Sequence, residues 1–270
     1  MNNPFAPWGI EHLSASSING YINNPCKWIV NYLLKYRGPG NGAMWRGTCT
    51  DSAVGNLFGM HENQKKPVPE EEIYTVAEQQ YFGLANYWQE QSPAEFDDAK
   101  TERELDTMKR CVELAIPFYK KLGKPTSYQE KIEVEFDEIP VPIIGYTDLV
   151  YEEGEEAHYA REVRDIKTVA RRPKEIPANV CRQLSVYAVA KNALPVVDYV
   201  YASKRDGEVI TMVVNGADKH LKDVRTAALA ITNLLSYSDD INQIASLFFP
   251  NYDDWMWSEG EIAAAKKLWS

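Results

Sequence analysis

Hydrophobic residues recur at the spacing of helical turns through the first 120 residues of the chain. After Pro25, which suits the first turn of a helix, Trp28, Ile29 and Tyr32 predict a helix that continues to about Tyr36. Further helices are predicted at about residues 44–58, 70–88 and 99–122. Residues 1–125 are therefore predicted to be mainly helical.

Between residues 126 and 215 the pattern changes to short apolar runs that are typical of β-strands. Strands are predicted at about residues 128–136, 142–150, 157–168, 196–203 and 208–213. Glu152-Glu153-Gly154 is predicted to be the turn between the second and third strands, which favours antiparallel pairing. Asp206-Gly207 is a strong hairpin signal between the last two strands. A helix is predicted at about 176–192, and others near 218–235 and 259–269.

This order of helices, strands, helix, strands and helices predicts an α/β fold with a central sheet flanked by helices. A chain of 270 residues exceeds the common domain size only modestly, so residues 1–270 are predicted to form a single domain. Within it, 1–125 would be the helical N-terminal part, 126–215 the sheet core and 216–270 the C-terminal helices.

Composition and cysteine usage narrow the class of protein. Hydrophobic residues at 44% and charged residues at 25% are ordinary for a globular chain. The four cysteines, at 26, 49, 111 and 181, lack Cys-x-x-Cys spacing, which favours reduced core thiols over a disulfide or zinc framework. The chain contains no run of eighteen apolar residues and no signal-peptide pattern. We therefore expect the protein to be cytoplasmic and not bound to a membrane.

Two acids and a lysine are predicted to meet where the second and third strands end. Asp148 closes the apolar run 141–147, and Asp165 and Lys167 lie two apart, so their side chains point to one face of a strand. If the two strands pair, the carboxylates form a site for Mg²⁺ or Mn²⁺. A cation there polarises water and neutralises phosphate charge, while Lys167 orients or helps to deprotonate that water. This chemistry is that of a metal-dependent nuclease.

Each part of this arrangement also has a simpler interpretation. An Asp-x-Lys sequence usually marks a solvated strand face. On the predicted helix 176–192, Gln183 and Tyr187 are four residues apart and share a face, but a tyrosine among apolar neighbours equally fits the core. Alternating acids on the first strand usually face water, although one of them could add a ligand. The combination is more specific than its parts.

The net charge of −10 argues against a nucleic-acid partner, because neutralisation of phosphates by Lys and Arg supplies most of such binding energy. The distribution of charge changes this conclusion. Residues 161–174 contain six basic and two acidic residues, a net charge of +4 beside the predicted metal site. In this run we expect DNA contacts from Arg171, Arg172 and Lys174. A solvated strand end is the alternative.

The sequence resembles the PD-(D/E)XK nuclease superfamily, and within it the branch of RecB and AddB nuclease domains and related phage exonucleases. The resemblance spans roughly residues 13–257. It includes Leu13-Ser14-Ala15-Ser16-Ser17 with Tyr21, Asn24-Pro25 and Trp28; Arg46-Gly47-Thr48 with Asp51; Gly145 to Asp148 with Asp165 to Lys167; and Gln183 with Tyr187. It implies a restriction-endonuclease-like mixed sheet flanked by helices.

The resemblance also implies a set of site residues. Metal binding is implied for Asp51, Asp148, Asp165 and Ile166, catalysis for Asp148, Asp165 and Lys167, and supporting contacts for Gln183 and Tyr187. The family usually has a histidine where this chain has Asp51, and a carboxylate there suits Mg²⁺ or Mn²⁺. Iron–sulfur members have a cysteine before the helix-starting proline, whereas Asn24 precedes Pro25 here and residues 254–258 contain no cysteine. We therefore predict no iron–sulfur cluster.

The function implied is a metal-dependent DNA nuclease, with exonuclease action in recombination, repair or phage DNA metabolism. The chain has no Gly-x-x-x-x-Gly-Lys phosphate loop, so a helicase or recombination partner would be a separate protein. The alternatives are a nuclease-like fold that only binds nucleic acid or protein, and a site-specific endonuclease. Retention of both acids and the lysine favours an enzyme. The sequence does not distinguish DNA from RNA or exonuclease from endonuclease action, and it leaves the oligomeric state open.

Overall fold

The computed structural model describes residues 3–38, 40–152 and 161–270. The helices that precede the sheet are α1 (Ala15–Asn23), α2 (Pro25–Tyr32), α3 (Gly42–Phe58), α4 (Glu70–Gln91) and α5 (Asp98–Leu122). The sheet and the elements that follow are β1 (Ser127–Val134), β2 (Ile143–Tyr151), β3 (Glu162–Val169), α6 (Ala178–Lys191), β4 (Leu194–Ala202), β5 (Gly207–Val213), α7 (Ala217–Tyr237), α8 (Ile241–Ala245) and α9 (Glu259–Leu268).

Local chemistry accounts for where the first helices begin and end. Ser14 Oγ accepts a hydrogen bond from the backbone of the third residue of α1 (3.1 Å), and Asn24 Oδ1 accepts one from the third residue of α2 (2.9 Å). The second helix ends at Tyr32, before the predicted Tyr36. Lys35 has a φ of 59°, a left-handed conformation that a right-handed helix cannot contain.

The strands form one mixed sheet in the order β1-β2-β3-β4-β5. The pairs β1–β2, β2–β3 and β4–β5 are antiparallel, whereas β3 and β4 are parallel and are joined across the sheet by α6. The predicted α/β class, the antiparallel pairing of β2 with β3 and the final hairpin are confirmed. The predicted turn between β2 and β3, and the start predicted for β3 at residue 157, lie outside the described residues.

Helices cover both faces of the sheet. One face packs against α1, α6 and α7 around buried residues such as Ile18, Leu184 and Val197. The opposite face packs against α5, where Tyr119 and Val200 are fully buried. The helices α3, α4 and α5 enclose a further apolar cluster of their own.

Two other sequence expectations are visible in the described residues. The four cysteines are buried and free of disulfides. None of the helices in the described ranges combines the length and apolar character needed to cross a membrane.

Candidate metal centre

The candidate site lies where β2 and β3 separate. Backbone pairing between the two strands stops at Leu149 and Arg164, so the next pair of residues would be Asp148 and Asp165. Beyond this point the backbone N–H of Ile166 donates to Asp148 Oδ2 (2.7 Å) and not to a carbonyl of β2. The Asp148 carboxylate thus ends the pairing and lies at the edge of the gap.

Asp165 connects β3 to α6. Its carboxylate is fully buried, and Oδ1 accepts hydrogen bonds from Lys167 Nζ (2.9 Å) and Gln183 Nε2 (3.2 Å). Gln183 Nε2 also donates to the hydroxyl of Tyr187 (2.8 Å). The predictions that Asp165 and Lys167 share a face of their strand, and that Gln183 and Tyr187 share a face of their helix, are confirmed.

Gly145 makes room for this arrangement. A Cβ atom at residue 145 would lie 2.7 Å from Tyr187 Cε1, closer than van der Waals contact permits. The absence of a side chain on β2 therefore allows the Tyr187 ring to pack against the strand beside the site. This contact is a physical reason for the glycine three residues before Asp148.

A third acid comes from α3. Asp51 Oδ2 accepts hydrogen bonds from the Tyr128 hydroxyl (2.8 Å) and from Gln129 Nε2 (2.9 Å), both on β1. The same Gln129 nitrogen donates to Asp148 Oδ1 (3.3 Å). Asp51 and Asp148 are therefore linked through one amide. Tyr128 and Gln129 could not be identified from the sequence, because neither belongs to a recognisable motif.

The Arg-Gly-Thr element fixes α3 against the sheet. Arg46 is buried, and its guanidinium donates to Thr168 Oγ1 (3.1 Å) and to the Thr168 carbonyl (3.3 Å). It also forms an ion pair with Glu104 on α5. Since Thr168 follows Lys167 on β3, these contacts hold α3 beside β3 and bring Asp51 to the gap.

An imidazole also lies in the cavity, although the family's usual histidine position holds Asp51. His61, in the loop after α3, packs edge-on against the Tyr128 ring at a centroid distance of 5.1 Å. Its Nε2 lies 2.9 Å from the carbonyl of Ser52, so this nitrogen donates a hydrogen bond and cannot bind a cation. The imidazole thus packs against Tyr128, which in turn donates to Asp51.

Burial and mutual repulsion raise the pKa of two of the carboxylates, those of Asp51 and Asp148. Burial raises the pKa of Asp51 to about 6, against the opposing effect of its hydrogen bonds from Tyr128 and Gln129. Burial and the charges of Asp51 and Asp165 raise the pKa of Asp148 well above its ordinary value. For Lys167, burial lowers the pKa, but the charges of Asp165 and Asp148 outweigh it and the pKa is raised. Lys167 is thus an ammonium at neutral pH, and the acids favour additional positive charge.

The oxygen atoms that are available as metal ligands suit a hard cation. Asp51 Oδ1 is buried without a hydrogen-bond partner. Ile166 can offer only its backbone carbonyl, which faces the gap because the N–H and C=O of one strand residue point to the same side. Within the part of the chain that the structure describes, no three Asp, Glu, His or Cys side chains converge closely enough to enclose a metal by themselves. Mg²⁺ fits such a set, because it binds one or two carboxylates and keeps several waters.

The site opens into a cavity of about 720 Å³. Its walls come from α3, β1 and the gap between β2 and β3, together with His61 in the loop after α3 and Gln80 of α4. Among the residues that line it are Thr48, Asp51, Gln129, Asp148, Ile166 and Lys167.

The basic run 161–174 does not form one patch. Arg164 is buried beneath α5 and pairs with Asp198, and Arg161 pairs with Glu152 and the carbonyl of Lys191. The prediction of a continuous patch of +4 is wrong for these two arginines. Three other basic residues are exposed on the loop after β3: Arg171, Arg172 and Lys174. Their proposed DNA contacts stay a prediction.

The two segments that carry cysteines in iron–sulfur relatives lie side by side. Asn24 Nδ2 donates to Asp254 Oδ2 (3.4 Å), and Lys27 forms an ion pair with buried Glu261 at 2.7 Å. These polar contacts join the start of α2 to α9 and the loop before it. The absence of a cluster stays a prediction.

Comparison with known proteins identifies the family. A model of the PD-(D/E)XK nuclease superfamily matches residues 12–251, and the chain belongs to this superfamily. The mixed sheet with helices on both faces has the restriction-endonuclease-like α/β fold that the resemblance implied. No curated protein matches the sequence.

Two solved structures are similar to the chain at low identity. A protein from Eubacterium rectale, provisionally named an exonuclease, is 11% identical, with a TM-score of 0.48 over 85% of this chain and 81% of that one. The protein SSO0001 is 18% identical, with a TM-score of 0.30 over 46% of this chain and 59% of its own.

Proposed function

We propose that this protein is a Mg²⁺- or Mn²⁺-dependent deoxyribonuclease that hydrolyses phosphodiester bonds. The observation that carries the proposal is the meeting of Asp148 and Asp165 at the gap between β2 and β3. Lys167 lies beside Asp165, and Asp51 faces Asp148 across Gln129. Membership of a nuclease superfamily supports hydrolysis of nucleic acid.

The surrounding contacts orient the carboxylates before substrate arrives. The Ile166 N–H fixes Asp148, while Gln183 and Lys167 fix Asp165. A divalent cation bound to these acids supplies a nucleophile from water near neutral pH and neutralises charge on the phosphate. Lys167 is protonated, so it donates hydrogen bonds but does not accept a proton. We therefore assign it to hold the attacking water or a phosphate oxygen.

DNA would approach along the loop after β3. Arg171 and Lys174 are exposed there and form no ion pair with any residue that the structure describes, whereas Arg172 pairs with Glu208. The loop leads to the first turn of α6, which no side chain caps, so its backbone amides and helix dipole favour a phosphate. On this basis we propose that Arg171, Arg172 and Lys174 contact the phosphate backbone of DNA. Gln183 and Tyr187 would support the catalytic residues.

We further propose exonuclease action in the cytoplasm, in recombination, repair or phage DNA metabolism, with any helicase supplied by a separate chain. This finer assignment rests on the resemblance to RecB and AddB nuclease domains. The intact set of two acids and a lysine supports an enzyme over a nuclease-like fold that only binds DNA or protein.

The proposal is tested by incubating linear, circular and single-stranded DNA with the protein in Mg²⁺, Mn²⁺ or EDTA. We expect cleavage with either cation and none in EDTA, and we expect Lys167→Ala to lower the rate by a factor of about 10² to 10⁴. Lys131→Ala is a matched control, because Lys131 pairs with Glu133 at the same two-residue spacing on β1 but is exposed.

The products separate the alternatives. Loss of linear DNA with protection of circles indicates an exonuclease, and a defined band pattern on plasmid DNA indicates a site-specific endonuclease. Equal cleavage by wild type and Lys167→Ala would remove the assignment of the lysine. Intact DNA with every cation, together with retained DNA binding, would favour the binding module.

A further inference from the structure

Gln129 occupies a position that the family motifs do not describe. Its side-chain amide nitrogen donates to Asp51 Oδ2 (2.9 Å) and to Asp148 Oδ1 (3.3 Å), so it lies between two of the acids assigned to the cation. The side chain also lines the cavity of the site. No other side chain in the described residues hydrogen-bonds to both of these carboxylates.

The backbone of β1 is bent to achieve this. Tyr128 and Gln129 are consecutive strand residues, whose side chains would normally point to opposite faces, yet both reach Asp51. Gln129 has a φ of 49°, the left-handed region, which is uncommon for a residue other than glycine. Regular pairing with β2 resumes on either side, at Tyr128 and Glu130. The left-handed conformation is thus confined to Gln129, and it directs the side-chain amide of this residue towards Asp51 and Asp148.

The amide group offers an oxygen at the same place. A half-turn about the last side-chain bond exchanges Nε2 and Oε1 without moving the backbone, and such terminal torsions have broad minima. The oxygen of a glutamine amide is an accepted ligand for hard cations. An oxygen turned towards Asp51 and Asp148 therefore faces any cation that these two acids share.

We propose that Gln129 is a further ligand of the cation, through Oε1. This inference rests on the proposed function, since it requires the metal site. The competing explanation is that Gln129 serves only as a hydrogen-bond donor that positions Asp51 and Asp148. The two roles make opposite demands on residue 129, because a ligand needs an acceptor and a positioning residue needs a donor.

Two substitutions of similar length separate these roles. Gln129→Glu supplies acceptor oxygens and negative charge, so a ligand role predicts Mn²⁺ binding at least as tight as in wild type. A donor role predicts weaker binding, because Glu cannot donate the hydrogen bonds that hold Asp51 and Asp148 in place. Gln129→Lys keeps a donor, so a donor role predicts binding that is weakened only by the added positive charge, whereas a ligand role predicts the further loss of a ligand and a total loss of at least tenfold.

The experiment is a calorimetric titration of the DNA-free protein with Mn²⁺, alongside thermal melts that verify folding. For Gln129→Ala we expect the dissociation constant to rise about five- to twentyfold. Gln80→Ala is the matched control, because Gln80 lines the same cavity from α4 and has no side-chain hydrogen bond to the acids, and we expect wild-type binding.

The outcomes test the ligand role of Gln129 separately from the metal site on which it depends. Absence of Mn²⁺ binding by the folded wild-type protein overturns the metal site itself. Wild-type binding with an unchanged dissociation constant in Gln129→Ala overturns the ligand role alone. Tight binding by Gln129→Lys with weak binding by Gln129→Glu also overturns it, in favour of the donor role.

Discussion

At the scale of single residues, the candidate site combines carboxylates from three elements, Asp51 of α3, Asp148 of β2 and Asp165 of β3. Each acid has its own donor: Tyr128 for Asp51, the backbone of Ile166 for Asp148, and Gln183 for Asp165. These donors fix the orientation of the oxygens but do not neutralise all of the negative charge. The protein is therefore less stable for having this cluster, and a cation relieves the repulsion.

The repulsion gives a testable dependence of stability on pH. The pKa of Asp51 is about 6, compared with its ordinary 3.8, so between these values the folded state binds more protons than the unfolded state. Stability therefore falls as pH rises from about 4 to 6 and stays reduced above. Asp51→Asn removes this group, so we expect it to be more stable than wild type by about 1 to 3 kcal/mol at pH 8 in EDTA.

Urea denaturation at several pH values measures this difference. The gap between Asp51→Asn and wild type should close as the pH is lowered to 4, and excess Mg²⁺ should narrow it at pH 8 because the cation stabilises only wild type strongly. A gap that is independent of pH would contradict a raised pKa at Asp51.

The sequence could identify some of these residues and not others. Side-chain periodicity within single elements, which is a local property, placed Asp165 with Lys167 and Gln183 with Tyr187, whereas their roles at the site were implied by the family resemblance. Gln129 could not be found in this way, because its role depends on a left-handed residue in the middle of a strand and on acids from two other elements. Such a conformation has a sequence signal only when glycine or asparagine supplies it.

At the scale of elements, β2 and α6 are fitted to each other through Gly145. In Gly145→Ala, the added Cβ would lie 2.7 Å from Tyr187 Cε1, so the ring must move away from the strand. Because Gln183 donates to both Tyr187 and Asp165, we expect cleavage to fall about tenfold or more and stability to fall by about 1 to 3 kcal/mol.

A double-mutant cycle checks the cause. In a Tyr187→Leu background, which lacks the ring edge that meets residue 145, Gly145→Ala should cost much less stability than in wild type. Equal costs in the two backgrounds would show that the glycine serves the backbone of β2 and not its contact with the ring.

The bend in β1 makes a separate prediction about Gln129. Neither Gln129→Gly nor Gln129→Ala retains the amide, so comparison of the two isolates the backbone. Glycine is normally less stable than alanine in a strand, but at a φ of 49° we expect the glycine variant to be more stable by about 1 kcal/mol. Chemical denaturation of the pair measures this, and the usual order would contradict a strained residue.

Most element positions were predictable because hydrophobic periodicity is local. The hairpin of β4 and β5 follows from Asp206-Gly207, and α3, α5 and α6 begin and end within about two residues of the predicted positions. The point at which β2 leaves β3 was not predictable, because it depends on the Asp148 carboxylate accepting from a backbone N–H of the neighbouring strand.

At the scale of the whole molecule, the helical N-terminal part is integral to the site. It supplies Asp51 from α3, and Arg46 joins that helix to β3 through Thr168. The net charge of residues 161–174 wrongly predicted that all of their basic side chains lie on one surface. Alternate residues of a strand point to opposite faces of the sheet. Arg164 therefore lies under α5 with Asp198, on the face of β3 opposite to Asp165.

The central claim is that acids far apart in the sequence share one divalent cation at the gap between β2 and β3. Anomalous diffraction from crystals of the protein soaked in Mn²⁺ tests it most directly. We predict an anomalous peak at bonding distance from carboxylate oxygens of both Asp148 and Asp165, which is lost in Asp148→Asn crystals that retain the fold. A saturating soak that gives no peak between these two aspartates, or a peak only elsewhere, would contradict the account.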